Sequence, residues 1–463
     1  MTIDELITRM RGWTSNAAIV EGDRSHTYED LLRKIEGWRD RVASLVLPTG
    51  SVVSVEGEYG CETIAAFMAV AEAGHVVVPL SPDSAAQQDT FRTIASVEAR
   101  CLVGDDTNAI RPAPMGESAD HEIYGVLRAR RRPGLVLFSS GSSGRPKAAV
   151  HDLGQLLERY ATPRTGHRTL VFLLLDHIGG VNTLLYTLSS GGTVVVPGGR
   201  SPETVARAIE THRVELLPTS PTFLNLLLLS GAPFRYDLSS LRLITYGTEP
   251  MPSGTLERLT RAFPDARLQQ TYGLTEIGIL HSRSRSADSL WVRVGGEGFE
   301  TKVVDGRLWV RARTAMLGYL NAPNPFDADG YLDTGDLVET DGEWVRFLGR
   351  RDDVINIGGS KVYPSRVEDV LLAMDGVLDA VVHGEAHAIT GQIVVATVRI
   401  ASPESPVDFK ARMRMFCSGR LAVQEVPAKV RLTEEPIHSA RFKRIRGGTR
   451  LMTAPGAGRD HAG

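Results

Sequence analysis

Residues 135–150 read LVLFSSGSSGRPKAAV, an apolar run, a patch of serine and glycine, and a lysine followed by a second apolar run. A Walker-type phosphate loop requires glycine, four residues, then Gly-Lys-Ser/Thr leading straight into a helix whose N-terminal amides face the phosphates. Here Lys147 leads into the strand-like Ala148-Ala149-Val150, and Pro146 biases Arg145 away from helical angles. The spacing therefore predicts a strand-to-strand connection. Its chemistry still suits phosphate: Ser139, Ser140, Ser142 and Ser143 carry hydroxyls, Gly141 and Gly144 allow amides to turn inward, and Lys147 supplies a cation. Taken alone, the segment fits a polar hairpin connection as well as a ligand clamp.

Outward from this loop, short apolar runs alternate with amphipathic segments, the pattern of an α/β architecture with largely parallel strands. Strands are expected at 51–55 and 75–80 around a helix at 62–72, then at 170–175, 193–197 and 214–218, with helices at 181–188 and 222–229. Thr27 and Asp30 have the spacing of a capping box for the helix carrying Leu31, Leu32, Ile35 and Trp38. From about Gly295 the pattern becomes β-rich, with strands at 308–311 and 343–348. Beyond Asp352 a smaller helix-and-strand unit is expected: helices at 367–374 and 407–417, strands at 378–383 and 392–400.

The chain has 463 residues, more than one hydrophobic core normally serves, so at least two domains are expected. A formal net charge of −3 provides no general field for nucleic acid. Cys61, Cys101 and Cys417 are too widely spaced for a disulfide framework or zinc site and suit buried thiols in a reducing compartment. The N-terminus lacks the apolar core of a secretion signal and no apolar run reaches a membrane span, which makes the cytoplasm the default location.

Four segments then occur in a fixed order: SSGSSGRPK (139–147), QTYGLTE (270–276), YLDTGD (331–336) and GRRDDVINIGGSKVYP (349–364). In order and spacing they resemble the adenylate-forming superfamily, which contains acyl- and aryl-CoA synthetases, peptide-synthetase adenylation domains and luciferases. The resemblance spans roughly residues 25 to 446. It implies a large N-terminal domain, 1–351, of stacked α/β subdomains plus a β-rich subdomain, and a small mobile α+β C-terminal lid, 352–446; residues 447–463 are expected to be a disordered tail.

The resemblance also assigns roles. Joining a carboxylate to the α-phosphate of ATP brings two anions together, so cations must neutralise them. Thr275 would touch the α-phosphate, and Glu276 would hold Mg²⁺, a hard cation suited to carboxylate oxygen. Asp336 would accept the ribose hydroxyls, with Arg350 beside it. Thr248, Glu249 and Pro250 match the adenine-side segment, and Tyr272 with Gly273 would lie against the base. Lys443, in RFKRIR (441–446), would bridge carboxylate, ribose and α-phosphate. Phe442 stands where the family usually has glycine. Asp352 falls at the hinge, and Gly358 and Gly359 would lie along the path of the incoming thiol. Lys361 replaces the family's usual arginine.

For the acid, LDHIGGVN (175–182) resembles the histidine-bearing segment of the CoA synthetases, placing His177 near the carboxylate. Ile178 stands where amino-acid-activating members carry aspartate, which disfavours an α-amino acid, with Asp176 on the other side. Ile178, Val181, Tyr246, Ile277, Gly278, Ile279 and Leu280 would line an apolar acyl or aryl pocket. No carrier domain follows Lys443, so the implied thiol belongs to coenzyme A or to the phosphopantetheine arm of a separate carrier protein. The resemblance thus implies an ATP- and Mg²⁺-dependent acid–CoA ligase. Its alternatives are a free-standing enzyme loading a carrier protein, a non-catalytic nucleotide-binding relative, and a Walker-type NTPase.

Overall fold

The computed structural model describes residues 1–104, 108–113, 119–140 and 145–438. Residues through Arg351 form one compact unit and Asp352 opens another.

Among the described residues the first unit contains three large sheets and a two-stranded ladder, Gly273–Leu274 with Gly278–Ile279. One has seven strands in the order Arg267–Gln270, Leu243–Tyr246, Leu216–Thr219, Arg168–Leu170, Thr193–Val196, Ala17–Glu21, Arg24–Thr27, parallel except at the last pairing. A second has the order Gly318–Tyr319, Pro146–Asp152, Gly134–Ser140, Val76–Leu80, Val52–Glu56, Ala99–Leu102, Ala109–Pro112, parallel at its centre and antiparallel at both edges. A six-stranded antiparallel sheet, His281–Ser284, Val292–Gly295, Trp344–Arg350, Leu332–Asp341, Arg307–Ala312, Phe299–Val304, completes the unit.

One core joins the two larger sheets. Ile19 and Val194 come from the first, Val53, Val55, Val77, Leu135 and Leu137 from the second, and helices Ile3–Met10, Tyr28–Ser44, Cys61–Glu72 and Ile178–Ser189 fill the space between. Cys61–Glu72 is apolar on every side because it packs on every side, burying Cys61 and Thr63 through Ala71. Its Glu62 faces Lys34 and accepts from Trp38 Nε1 at 2.8 Å, so the indole donor is satisfied. Thr27 and Asp30 form the expected capping box: Asp30 N donates to Thr27 Oγ1 at 3.1 Å, and Thr27 N donates back to the carboxylate at 2.9 Å.

Two expectations shift. The strand expected at 170–175 ends at Leu170. Val171, Phe172 and Leu175 are apolar because this irregular segment is buried, with Phe172 against Phe223, not because it is extended. The antiparallel sheet begins at His281, before the expected start near Gly295; its first strand, His-Ser-Arg-Ser, is too polar to show alternation. Within the described residues no helix is long and apolar enough to cross a membrane, and all three cysteines are buried and free.

In the second unit, helices Pro364–Leu372 and Pro406–Cys417 lay Val367, Leu371, Phe409 and Met413 onto a sheet built around the hairpin Val377–His387 and Gly391–Ile400. Lys429–Thr433 adds to Gly391–Ile400 in parallel. Glu368, fully buried, accepts from Val382 N at 3.0 Å and so ties helix to sheet.

The turn that enters helix Ile178–Ser189 depends on Gly180, where a Cβ would stand 1.9 Å from the Leu174 carbonyl oxygen. Gly180→Ala is expected to destabilise the first unit by about 3 kcal/mol or more, since backbone cannot move aside as a side chain can; denaturant titration measures it, and a loss under about 1 kcal/mol would contradict the packing described.

Candidate active site

The serine- and glycine-rich segment joins two antiparallel strands, Gly134–Ser140 and Pro146–Asp152, with Ser139 opposite Lys147. Gly141, Ser142, Ser143 and Gly144 lie outside the described residues, as does Lys443, and only the backbone of Ser140 is described. What holds the far end of this hairpin is the edge strand Gly318–Tyr319, paired with Val150 and Ala149. Leu317 N and Leu320 N donate to the carbonyls of Val150 and Ala148 at 2.7 and 3.0 Å. Asn321 clamps the residues on either side of Lys147, accepting from Ala148 N at 3.0 Å and donating to the Pro146 carbonyl at 2.8 Å.

The same stretch grips the Thr275-Glu276 segment. Met316 N donates to the Glu276 carbonyl at 2.8 Å, Thr314 Oγ1 to the Ile277 carbonyl at 2.8 Å, and the Tyr319 hydroxyl to Glu276 Oε1 at 2.5 Å. Lys147 Nζ lies 5.3 Å from the centre of the Tyr319 ring, within cation–π range. Burial, followed by the nearby Glu276 charge, pushes the Tyr319 hydroxyl well above its ordinary pKa, so it stays a donor. Lys147 and Glu276, 129 positions apart, thereby meet on one buried tyrosine.

Four residues before Glu276, Tyr272 begins a second group. Its hydroxyl donates to Asp336 Oδ2 at 2.6 Å, and Arg350 Nε lies 3.0 Å from Asp336 Oδ1. Asp336 and Arg350 face each other across paired strands, which fixes their approach. The Tyr272 ring stacks on Phe347 at 4.7 Å between centres and an angle of 16°, so one of its faces is already covered. Burial and the Asp336 charge raise the Tyr272 pKa and keep it protonated.

His177 is the N-cap of helix Ile178–Ser189 and its Nδ1 accepts from Gly179 N at 3.0 Å. In the neutral ring that places the proton on Nε2. Asp176, 7% exposed, takes a hydrogen bond from Ser81 Oγ at 2.7 Å at the end of strand Val76–Leu80. The residues expected at an acyl pocket fall in more than one place. Ile178 and Val181 belong to the core between the large sheets, with Ile279 packed against it, whereas Ile277 and Leu280 belong to the core of the antiparallel sheet. Tyr246, 1% exposed, directs its hydroxyl toward Ser284, and Gly278 turns with a φ of 76° beside Thr314.

Thr248 holds a positive φ of 73°, strained for a β-branched residue. Glu249 Oε1 accepts from Thr222 N at 2.7 Å and so caps helix Pro221–Leu229; Pro250 is half-buried beside it. Gly273 pairs with Ile279 in a two-residue ladder. Asp352 stands at the boundary between the two units. Gly358 and Gly359 form the two-residue turn of the hairpin Ile355–Ile357 and Ser360–Val362, with φ of 54° and 91°; a tight turn of that hand needs positive φ at both positions.

Sequence reasoning missed Tyr319, Asn321 and His151. Among the first two the only sign was GlyTyrLeuAsn at 318–321, polar and aromatic groups on a short strand-like run. His151 is 1% exposed directly beneath the Thr275 segment. Burial lowers its pKa to about 4, and the backbone of Thr275 and Thr314, near the ring but without a well-formed hydrogen bond, opposes the shift only in part.

Residues 8–320 match the family model described as AMP-binding enzyme, and residues 366–441 match AMP-binding enzyme C-terminal domain. The chain belongs to this family of adenylate-forming enzymes. It is 26% identical to 2-succinylbenzoate–CoA ligase of Bacillus cytotoxicus, over 94% of this chain and 97% of that protein. Against indoleacetate–CoA ligase of Aromatoleum aromaticum the identity is 27%, covering 98% of each. Among solved structures it resembles the anthranilate CoA ligase AuaEII in complex with anthranoyl-AMP, with a TM-score of 0.79, 19% identity, and 96% and 97% of the two chains covered.

The His151 ring carries a pH dependence with a definite sign. Above about pH 6.5 it is neutral in both folded and unfolded chains; between 6.5 and 4 the unfolded chain binds a proton that the folded one refuses, so stability falls as pH falls. The expected loss from this residue between pH 7 and 5 is about 2 kcal/mol. Denaturant titration of wild type and His151→Gln at both pH values measures it; an equal acid loss in the two proteins would contradict the assignment.

Proposed function

We propose that this protein activates a carboxylic acid with ATP and transfers the acyl group to coenzyme A. The carboxylate oxygen attacks the α-phosphorus, and the bond to the bridging oxygen breaks with its electron pair leaving on pyrophosphate. The coenzyme A sulfur, having lost its proton, then attacks the acyl carbonyl carbon, and AMP departs. The observation that carries this reading is the meeting of Lys147 and Glu276 on Tyr319, with the Asp336–Arg350–Tyr272 group a few residues along the same segment. A phosphate cation, a metal carboxylate and a sugar acceptor are what an ATP-dependent adenylation needs.

Residue roles follow from these positions. Lys147, with Ser139 and the loop 140–144, holds the phosphates that leave. Asp336 and Arg350 take the ribose, and the turn Thr248–Pro250 lies on the adenine side. His177, oriented by Gly179 N on its Nδ1, lies near the substrate carboxylate. Thr275 contacts the α-phosphate. The apolar groups Ile178, Val181, Tyr246, Ile277, Gly278 and Leu280 border the acyl end, and Gly358 and Gly359 border the thiol path. Asp352 is the proposed hinge, with Lys443 carried on the lid beyond it.

The residues fit a magnesium ion. Glu276 has one oxygen bonded to Tyr319 and one left for a cation, and no cluster of three or more His, Cys, Asp or Glu side chains suited to a metal occurs among the described residues. Magnesium is commonly held by one or two carboxylates together with substrate phosphates. When bound, it would neutralise charge on the triphosphate; Glu276 would hold it. The curated relatives named above are CoA ligases, which supports coenzyme A as acceptor over a carrier protein.

ATP–pyrophosphate exchange across a panel of aliphatic and aromatic acids tests the reading. Exchange is expected with at least one acid and is expected to fall by more than about a hundredfold in Lys443→Ala. The same variant is expected to transfer a supplied acyl-adenylate to coenzyme A. Background exchange with every acid would contradict the proposal, and equal loss of both half-reactions would contradict the lid assignment.

A further inference from the structure

We propose that Tyr319 is a positioning residue that keeps Lys147 and Glu276 from neutralising each other before nucleotide arrives. The proposal rests on the reading of ATP as substrate and goes beyond it. A site for magnesium–ATP needs a cation for phosphate and an anion for metal within a short span. Side by side, such groups pair with one another, and that pair has to be broken before either can serve the ligand.

The structure shows how the pairing is avoided. The Lys147 ammonium lies 5.3 Å from the ring centre, while Glu276 Oε1 takes the hydroxyl of the same ring at 2.5 Å. Each charge is thus met by a neutral group. No ion pair joins Lys147 to Glu276 among the described residues, although both touch one side chain. The aromatic face attracts the ammonium without cancelling its charge, and the phenol leaves Glu276 an acid with an oxygen to spare.

Tyr319 is also built not to move. It is 6% exposed, its strand is paired through Ala149 and Val150, and Asn321 fixes the backbone on both sides of Lys147. Met316 secures the Glu276 backbone from the same stretch. Spacer, lysine and acid therefore share one frame, and a rotation of the ring out of the gap would leave a cavity beside Ala149 and Met316, with which it packs.

A double-mutant cycle on metal-free ATP binding, read by calorimetry, separates this role from simple support of the fold. Without a divalent cation, Glu276 has no ligand to hold and acts only as a competitor for Lys147. Tyr319→Ala, checked for folding by its thermal midpoint, is expected to weaken ATP binding about fivefold, the order of a partly exposed ion pair. Glu276→Gln is then expected to improve ATP binding about fivefold more in the Tyr319→Ala background than in wild type. Tyr319→Phe, which keeps the ring, is expected to bind within about twofold of wild type. Equal gains from Glu276→Gln in both backgrounds, or a loss in the phenylalanine variant as large as in alanine, would overturn the proposal. Wild type that binds no ATP at all would overturn the nucleotide reading itself, and does so before any variant is compared.

Discussion

The hydroxyl of Tyr319 on Glu276 is the contact at which residues 146–150, 275–277 and 314–321 of the first unit come together. It comes from a two-residue edge strand in which Gly318 and Tyr319 pair with the strand following the serine- and glycine-rich segment. That pairing makes one sheet the foundation of both charged groups: Lys147 rises from it directly, and Glu276 is tethered to it through Tyr319 and Met316. Chemistry between two anions tolerates little drift in the cations that bring them together, so a site built across sheets needs such a brace.

A second group repeats the device. Tyr272 holds Asp336 as Tyr319 holds Glu276, in each case a buried phenol donating to a carboxylate. In both, burial and the adjacent negative charge keep the phenol protonated, so neither can become a competing anion. Each acid is thereby held in a fixed orientation. His177 follows related logic with a backbone amide: Gly179 N fixes its Nδ1.

Much of the fold was legible because the physics behind it is local. Alternating apolar runs marked the parallel strands, the Thr27–Asp30 spacing marked a helix start, and Pro146 marked a loop that does not lead into a helix. Where burial and extension part company, the pattern misled: 171–175 is apolar yet irregular, and 281–284 is extended yet polar. In the site, residues with a charge to offer stood out within their motifs. Tyr319, Asn321 and His151 did not, since their roles arise only when residues 146–151, 275–277 and 314–321 are brought together. Gly358 and Gly359 show the reverse case, where a turn of the required hand accounts for residues that a motif assigns to a ligand path.

The proposed reaction cleaves ATP at its α-phosphorus by attack of an acid whose acyl group then moves to coenzyme A. Rapid quench of enzyme with ATP, magnesium and an accepted acid, followed by mass analysis, tests it most directly. Without coenzyme A, acyl-adenylate is expected to accumulate to about one equivalent per enzyme; on adding coenzyme A it is expected to convert to acyl-CoA and AMP in equal amounts. Formation of ADP, or of AMP with no acyl-adenylate that coenzyme A consumes, would contradict the account.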